Sequence, residues 1–237
     1  MSLPSVQTLW IGPALKPLHT ECLLSFLIQG HSVDLYCYEK VLGVPSGVNL
    51  RSAAEILPSD SIFAYQRGPG KGSFSAFSNI FRYALLLKKG GTWVDTDMFC
   101  LKPWTFSEPY TFASETIRTE KERILASCLI SCPPRSSLMR YCLEEAYQLK
   151  SKALNWGEIG PQLLTRAVKK FRLDHYIRRS WEFCALGWDE TELLTDPDSS
   201  WRPPQKALGI HLNHEMLRRH QQDTNSRILD RLRGWSG

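Results

Sequence analysis

The stretch Phe74–Trp104, FSAFSNIFRYALLLKKGGTWVDTDMFCLKPW, decides how the rest of the chain is read. Phe77, Ile80, Phe81, Ala84 and Leu85 recur at helical spacing and form one apolar stripe. Ser75 or Ser78 can cap the start of that helix, Lys88 and Lys89 suit the negative end of its dipole, and Gly90 tolerates a left-handed cap. Thr92, Trp93 and Val94 then favour a strand, which delivers Asp95-Thr96-Asp97 to a sheet edge. On an extended chain these two carboxylates project the same way, roughly 6.5–7 Å apart. Nothing nearby in sequence neutralises both. A hard divalent cation, Mn²⁺ or Mg²⁺, shared with a phosphate ligand would.

A D-x-D pair alone is weak evidence, arising by chance in roughly half of chains this long. Asp196-Pro197-Asp198 makes the point, since it lies in the Pro/Ser-rich run DPDSSWRPP and reads as a solvated loop. The first copy differs in its surroundings: a helix carrying Arg82, Gly90-Gly91, three strand residues, and then the acids.

This composite resembles the sugar-binding region of glycosyltransferase family 32, whose members include glucosylating toxins and Golgi galactosyl- and mannosyltransferases. The family pattern is S-D-x-x-R, a leucine-rich helix, G-G-[IV]-Y-[LA]-D-x-D and a Lys-Pro; here Asn79 replaces the first Asp and Trp93 the Tyr. The resemblance implies an α/β GT-A-type, Rossmann-like fold with a mixed, mostly parallel sheet flanked by helices. It implies one domain over residues 1–237, with a nucleotide-binding part over about 1–104 and an acceptor-side part over about 105–237. It also implies Mn²⁺ or Mg²⁺ as cofactor, held by Asp95, Asp97 and a late strand histidine, here His211. Donor contacts fall on Trp10, Ile11, Gly12, Asn79, Arg82, Trp93 and Asp95, with Trp10 stacked on the base. Asp95 and Asp97 carry the catalysis together with Glu158. The W-x-x-x-G-P-x-L-L-T run places Asn155, Glu158 and Gly160 on the acceptor side.

The expected reaction moves a sugar from a nucleotide sugar, a UDP-sugar by preference, to an acceptor hydroxyl, with retention implied by the resemblance. The acceptor is a glycan, a lipid-linked molecule or a protein, as in polysaccharide or glycolipid synthesis. The alternative is a catalytically lapsed nucleotide-sugar or glycan-binding protein, motivated by Asn79. A glycoside hydrolase fits poorly, because its two carboxylates must flank the scissile bond from opposite sides.

The remaining chain agrees with an α/β sheet. Val6–Ile11 reads as a strand, Glu21–Gln29 as a helix ending at Gly30, and Val33–Tyr38 as a second strand, so the connection is a right-handed parallel crossover. Ligands of such sheets bind at the carboxyl ends of the strands. Ser61–Tyr65, Tyr110–Ala113, Ile124–Ser131 and Ala207–Leu212 are further expected strands, with Ile124–Ser131 central because it is almost wholly apolar. Ser137–Lys150, a segment beginning at Gly160-Pro161, and Arg218–Arg233 are expected helices. The loop around Ser200-Trp201 is the expected lid.

Two tempting motifs fail on spacing. In RGPGKGS a phosphate-cradling P-loop would need Gly at Tyr65 and Ser or Thr at Gly72. In HLNHEMLRRH a zinc-protease signature would need His at Arg218. The 237 residues are 43% hydrophobic and 22% charged, sufficient for one core, and the net charge of +5 is too dispersed for nucleic-acid binding. Lys169, Lys170, Arg172, Arg178 and Arg179 form a basic run, read as a solvated face or a peripheral contact with anionic lipid. Seven cysteines without C-x-x-C pairs and an opening without a signal-like apolar segment lead to the expectation of a cytoplasmic protein, or one peripheral to the inner face of a membrane.

Overall fold

The computed structural model describes residues 3–116, 123–150, 154–220 and 226–235. Strands β1 (Val6–Trp10), β2 (Val33–Cys37), β3 (Asn49–Ser52), β4 (Gly91–Val94), β6 (Thr111–Thr116) and β7 (Arg123–Cys132) build one sheet in the order β3-β2-β1-β4-β7-β6. The pairs β1–β2, β2–β3 and β1–β4 are parallel, whereas β4–β7 and β6–β7 are antiparallel. The sheet is therefore mixed, with β7 inside it as its apolar run requires. Strand order reverses between β1 and β4, and the crevice at that switch point is where an α/β sheet receives a ligand.

Helix α1 (Pro17–Ile28) covers one face and α2 (Ser75–Lys89) the other, joined on that side by α3 (Ser137–Lys150) and α4 (Pro161–Lys170). Alternate residues of β1, β2 and β4 contribute to the two cores. Leu9, Tyr36 and Trp93 pack with Phe77, Phe81 and Leu85 on one face, while Val6, Leu35 and Val94 pack with Leu23 and Phe26 on the other. Among the described residues no helix is long and apolar enough to cross a membrane.

A third cluster gathers Leu18, Cys22, Phe99, Ile210, Leu217 and Leu232. It sits on a two-stranded ladder of β5 (Met98–Cys100) and β8 (Gly209–His211), whose register sets Met98 opposite His211. Short α5 (Ser180–Phe183), α6 (His214–Arg219) and α7 (Ser226–Trp235) complete the chain. The basic tail expected as one helix over Arg218–Arg233 is thus two, with residues 221–225 between them outside the described part.

Several local expectations need correction. Ser61–Tyr65 is not a strand: Pro58 leads into a single 3-10 turn over Ser59–Ser61, and the edge strand is the polar, exposed Asn49–Ser52. Helix α2 has no side-chain cap; instead Ser73 Oγ accepts the Ser75 N–H at 3.3 Å. Gly90 has φ +64° and ψ −157°, outside the left-handed helical region, and a Cβ there would lie 2.4 Å from Pro134 N. The backbone must pass this close because Gln7 Nε2 donates to Gly90 O at 2.8 Å, pinning the turn beneath β1. The glycine-rich loop is a hydrogen-bonded turn. Tyr65 N–H reaches Ser73 O at 3.0 Å, Gly72 N–H reaches Tyr65 O at 2.9 Å, and buried Gly70 lies flat on Trp156.

Candidate active site

The acidic pair stands where β4 leaves the main sheet. The Asp95 N–H donates to Cys128 O at 2.9 Å, and the Met98 N–H then closes a turn onto Asp95 O at 3.0 Å, sending the chain into β5. Asp95 and Asp97 therefore converge through a tight turn, not through strand alternation as the sequence implied. The β5–β8 ladder carries His211 to the same place. One ligand atom from each of Asp95, Asp97 and His211 lies within 4.8 Å of the others, a compact N/O set of the kind a divalent cation takes.

Each acid is held separately. Arg82, 3% exposed on α2, sets Nη2 3.0 Å from Asp95 Oδ1. The Trp93 indole N–H donates to that same oxygen at 2.9 Å, leaving Oδ2 of Asp95 to a ligand. Arg82 is itself fixed: Nη1 donates to Ser127 O, Nε to Ser78 O at 3.3 Å, and the guanidinium lies 4.9 Å from the Trp93 ring centre. Asp97 accepts the His214 backbone N–H on Oδ2 at 2.8 Å and faces His211 Nε2 from Oδ1 at 3.4 Å.

The charge states follow from these partners. Burial pushes Asp95 up, and the Asp97 charge adds to this against the pull of Arg82 and His211. For Asp97 burial works the same way, but His211, the His214 N–H and His19 outweigh it and hold its carboxyl well below the usual range. Burial alone would lower His211, yet Cys128 and Asp97 raise it well above an ordinary histidine. Since burial lifts the Cys128 thiol far above neutrality, Cys128 is uncharged at pH 7, and Asp97 is the anion that keeps a proton on His211.

A cavity of about 790 Å³ opens over this cluster, large enough for a nucleotide sugar. Trp10, Ile11, Asn79, Arg82, Trp93, Asp95, Asp97 and His211 all line it. Trp10, at the end of β1, packs its ring 4.6 Å from His19, and Gly12, with φ +131°, places its Cα hydrogens beside that indole. Trp93 is buried in the cavity lining and steadies Asp95 and Arg82 through its indole N–H and ring. Asn79 is buried and pressed against Gly160, where a Cβ would meet Asn79 Nδ2 at 2.8 Å.

The acceptor-side expectations shift. Asn155, Glu158 and Gly160 are not among the residues lining the cavity, and Glu158 Oε2 accepts the Asn155 N–H at 2.8 Å, tying its own turn. The neighbours Trp156, Gly157, Pro161 and Gln162 line it instead. The expected lid is anchored elsewhere, since Trp201 packs 5.8 Å from Trp235 and its carbonyl accepts from Arg231 at 3.2 Å. Asp196-Pro197-Asp198 is an exposed loop, with Asp196 Oδ1 accepting the Asp198 N–H at 2.9 Å, as expected.

Sequence reasoning missed Arg219, whose guanidinium lies 4.2 Å from the Trp156 ring centre, and Glu115, Trp188 and His214 on the cavity wall. Trp156 stood in the quoted motif and was the one signal available; the others come together only through the fold.

Comparison with known proteins agrees with this geometry. A family model described as a glycosyltransferase sugar-binding region containing a DXD motif matches residues 48–121. A lactosylceramide 4-alpha-galactosyltransferase of Pan troglodytes is 27% identical over 138 residues, 58% of this chain and 36% of that protein. The chain thus spans about a third of that relative's length. Among solved structures, the PaToxG glycosyltransferase superposes with a TM-score of 0.52 at 14% identity over 98% of this chain and 86% of its own. The ligand-free glycosyltransferase domain of the YGT toxin gives 0.50 at 8% identity over 76% and 81%. At such identities the likeness is one of fold.

Proposed function

We propose that the chain is a glycosyltransferase of the family-32 kind that transfers a sugar from a UDP-sugar to an acceptor hydroxyl with the help of a divalent cation, a reading supported by the DXD sugar-binding family model over residues 48–121 and by the GT-A-type fold. The observation that carries this reading is the meeting of Asp95, Asp97 and His211 in the lining of a cavity that Trp10 also lines. The donor set is rich in hard oxygen, so it fits Mn²⁺ or Mg²⁺. When bound, such a cation supplies positive charge against the leaving diphosphate.

The chain's own residues do the rest. Trp10 offers an aromatic edge of the cavity to the base. Arg82 holds Asp95 with one oxygen turned to ligand, and its burial keeps that orientation during turnover. Asn79, beside Arg82 on the cavity wall, presents an amide to sugar hydroxyls; its Oδ1 has no hydrogen-bond partner among the described residues. Lys16, Arg218 and Arg219 also line the cavity, and with Glu215 paired to both arginines the set keeps net positive charge favourable to a pyrophosphate. Trp188, which lines the cavity and is 37% exposed, is the surface we assign to an acceptor sugar.

The test is a screen of UDP-sugars for release of UDP, with Mn²⁺ and with chelator. A donor turned over only with the cation supports transfer. Stabilisation by UDP with Mn²⁺ but no turnover of any donor would favour a lapsed binding protein. No response to nucleotide or cation would remove both readings.

A further inference from the structure

Behind the acidic pair lies a second donor set for which sugar transfer has no use. Cys128, on β7, and Cys184, directly after α5, are 56 residues apart in sequence but bring their Sγ atoms to 3.6 Å. One ligand atom from each of Cys128, Cys184 and His211 lies within 4.8 Å of the others. His211 is thus common to two sets, an oxygen-rich one with Asp95 and Asp97 and a sulfur-rich one with the two cysteines. Cys128 lines the cavity, so an ion entering for the first set reaches the second; Cys184 is 4% exposed.

The sulfur spacing discriminates between the chemistries open to such a pair. Two thiolates on a tetrahedral zinc, each at about 2.3 Å, stand about 3.7 Å apart. A disulfide needs about 2.05 Å, which would require the sulfurs to close by about 1.5 Å. The observed 3.6 Å matches the metal. Two sulfurs with one imidazole nitrogen form a soft set that zinc takes and Mn²⁺ or Mg²⁺ does not, with a fourth position left for water.

We propose that Cys128, Cys184 and His211 form a zinc site, and that zinc held there withdraws His211 from Asp95 and Asp97. Zinc is then an inhibitor built on the chain's own ligands, exclusive with the hard cation's use of the same imidazole. Both thiols are buried, and an ion that takes them as thiolates must release their protons on entry. A thiophilic ion does this and a hard one does not, which keeps Mn²⁺ out of the sulfur set. The zinc site itself does not depend on sugar transfer; its inhibitory consequence rests on the function proposed above.

The experiment titrates the reduced, metal-free protein with Co²⁺ as a spectroscopic stand-in, followed by Zn²⁺. The expected result is a near-ultraviolet thiolate-to-cobalt band that saturates at one ion and is bleached by an equivalent of Zn²⁺. Cys184→Ser should abolish the band and weaken zinc binding at least tenfold, while leaving the Mn²⁺-dependent shift in melting temperature unchanged. Should the serine variant fail to fold, Cys184→Ala gives the same reading. In the wild type, Zn²⁺ should also suppress Mn²⁺-supported UDP binding, and in the Cys184 variant it should not. Cobalt or zinc bound without a thiolate band, or zinc binding unaltered by either Cys184 substitution, overturns the proposal. A full thiolate band in a protein that never binds UDP upholds the zinc site and overturns the transferase reading instead.

Discussion

Replacing Arg82 by alanine removes the buried guanidinium that pairs directly with Asp95, and its cost can be worked from the geometry. The guanidinium nitrogen stands 3.0 Å from Asp95 Oδ1, and Arg82 is 3% exposed. Charges about 4 Å apart at an effective dielectric near 20 attract by about 4 kcal/mol. The carboxylate left behind is 23% exposed and close to Asp97, so solvent recovers only a fraction. Breaking a buried pair from one side typically costs about 3–5 kcal/mol, and the partial exposure of Asp95 points to the lower end. For a domain of this size each kcal/mol lowers the melting temperature by about 2–4 °C, so Arg82→Ala should melt roughly 6–12 °C below the wild type. Adding Asp95→Asn removes the stranded charge, and the double variant should recover a large share of the loss in a double-mutant cycle. Arg82→Lys keeps the charge without the fork that spans Ser127 O, Ser78 and Asp95, and should fall between. Thermal melting and urea denaturation of all five proteins, Asp95→Asn alone included, measure this. An Arg82→Ala protein within about 1 °C of the wild type, or a double variant no better than Arg82→Ala, would refute the view that Arg82 and Asp95 are a buried, mutually dependent pair.

Three further outcomes are expected. Gly90→Ala should lose about 1–3 kcal/mol from its forced backbone conformation and more from the Cβ meeting Pro134 N at 2.4 Å; a urea midpoint equal to that of the wild type would contradict the described turn. The Asp97–His211 pair sets a pH window. The lowered Asp97 contributes stability that is present above about pH 3.9 and lost as pH falls through its depressed value, while the raised His211 contributes below about pH 6.5 and loses it as pH rises through its elevated value. Metal-free protein should therefore gain most from the pair between about pH 4 and 6.5. Because a cation must displace the proton on His211, Mn²⁺ affinity should rise with pH by up to about tenfold per unit; affinity that is flat from pH 6 to 8 would contradict a protonated His211.

What the sequence disclosed and what it hid divide along the distance over which a signal acts. The helix with Arg82, the double glycine and β4 are encoded by periodicity and turn chemistry within twenty residues, and all fell where expected. The mode of convergence of Asp95 and Asp97 did not, because the turn is closed by a hydrogen bond to Asp95 O and by β8, more than a hundred residues away. The β3 edge strand, Asn49–Ser52, is exposed throughout and lacks the apolar alternation that marks a strand, whereas Ser61–Tyr65 carries apolar residues without a partner strand. His211 was placed through resemblance, and β8 explains it physically. Glu158 was drawn to the acceptor side by its motif, yet its carboxylate closes the turn that sets Trp156 into the cavity wall. The stacking of Arg219 on Trp156 and the meeting of Cys128 with Cys184 join remote segments and leave no periodic trace in the chain.

The central claim is that nucleotide and cation share a site completed by Asp97. Isothermal titration of UDP into the protein with Mn²⁺, with chelator, and with Asp97→Ala in Mn²⁺ tests it most directly. Binding in Mn²⁺ that weakens at least tenfold both on chelation and in the variant is the predicted result. Equal UDP affinity under all three conditions would contradict the account.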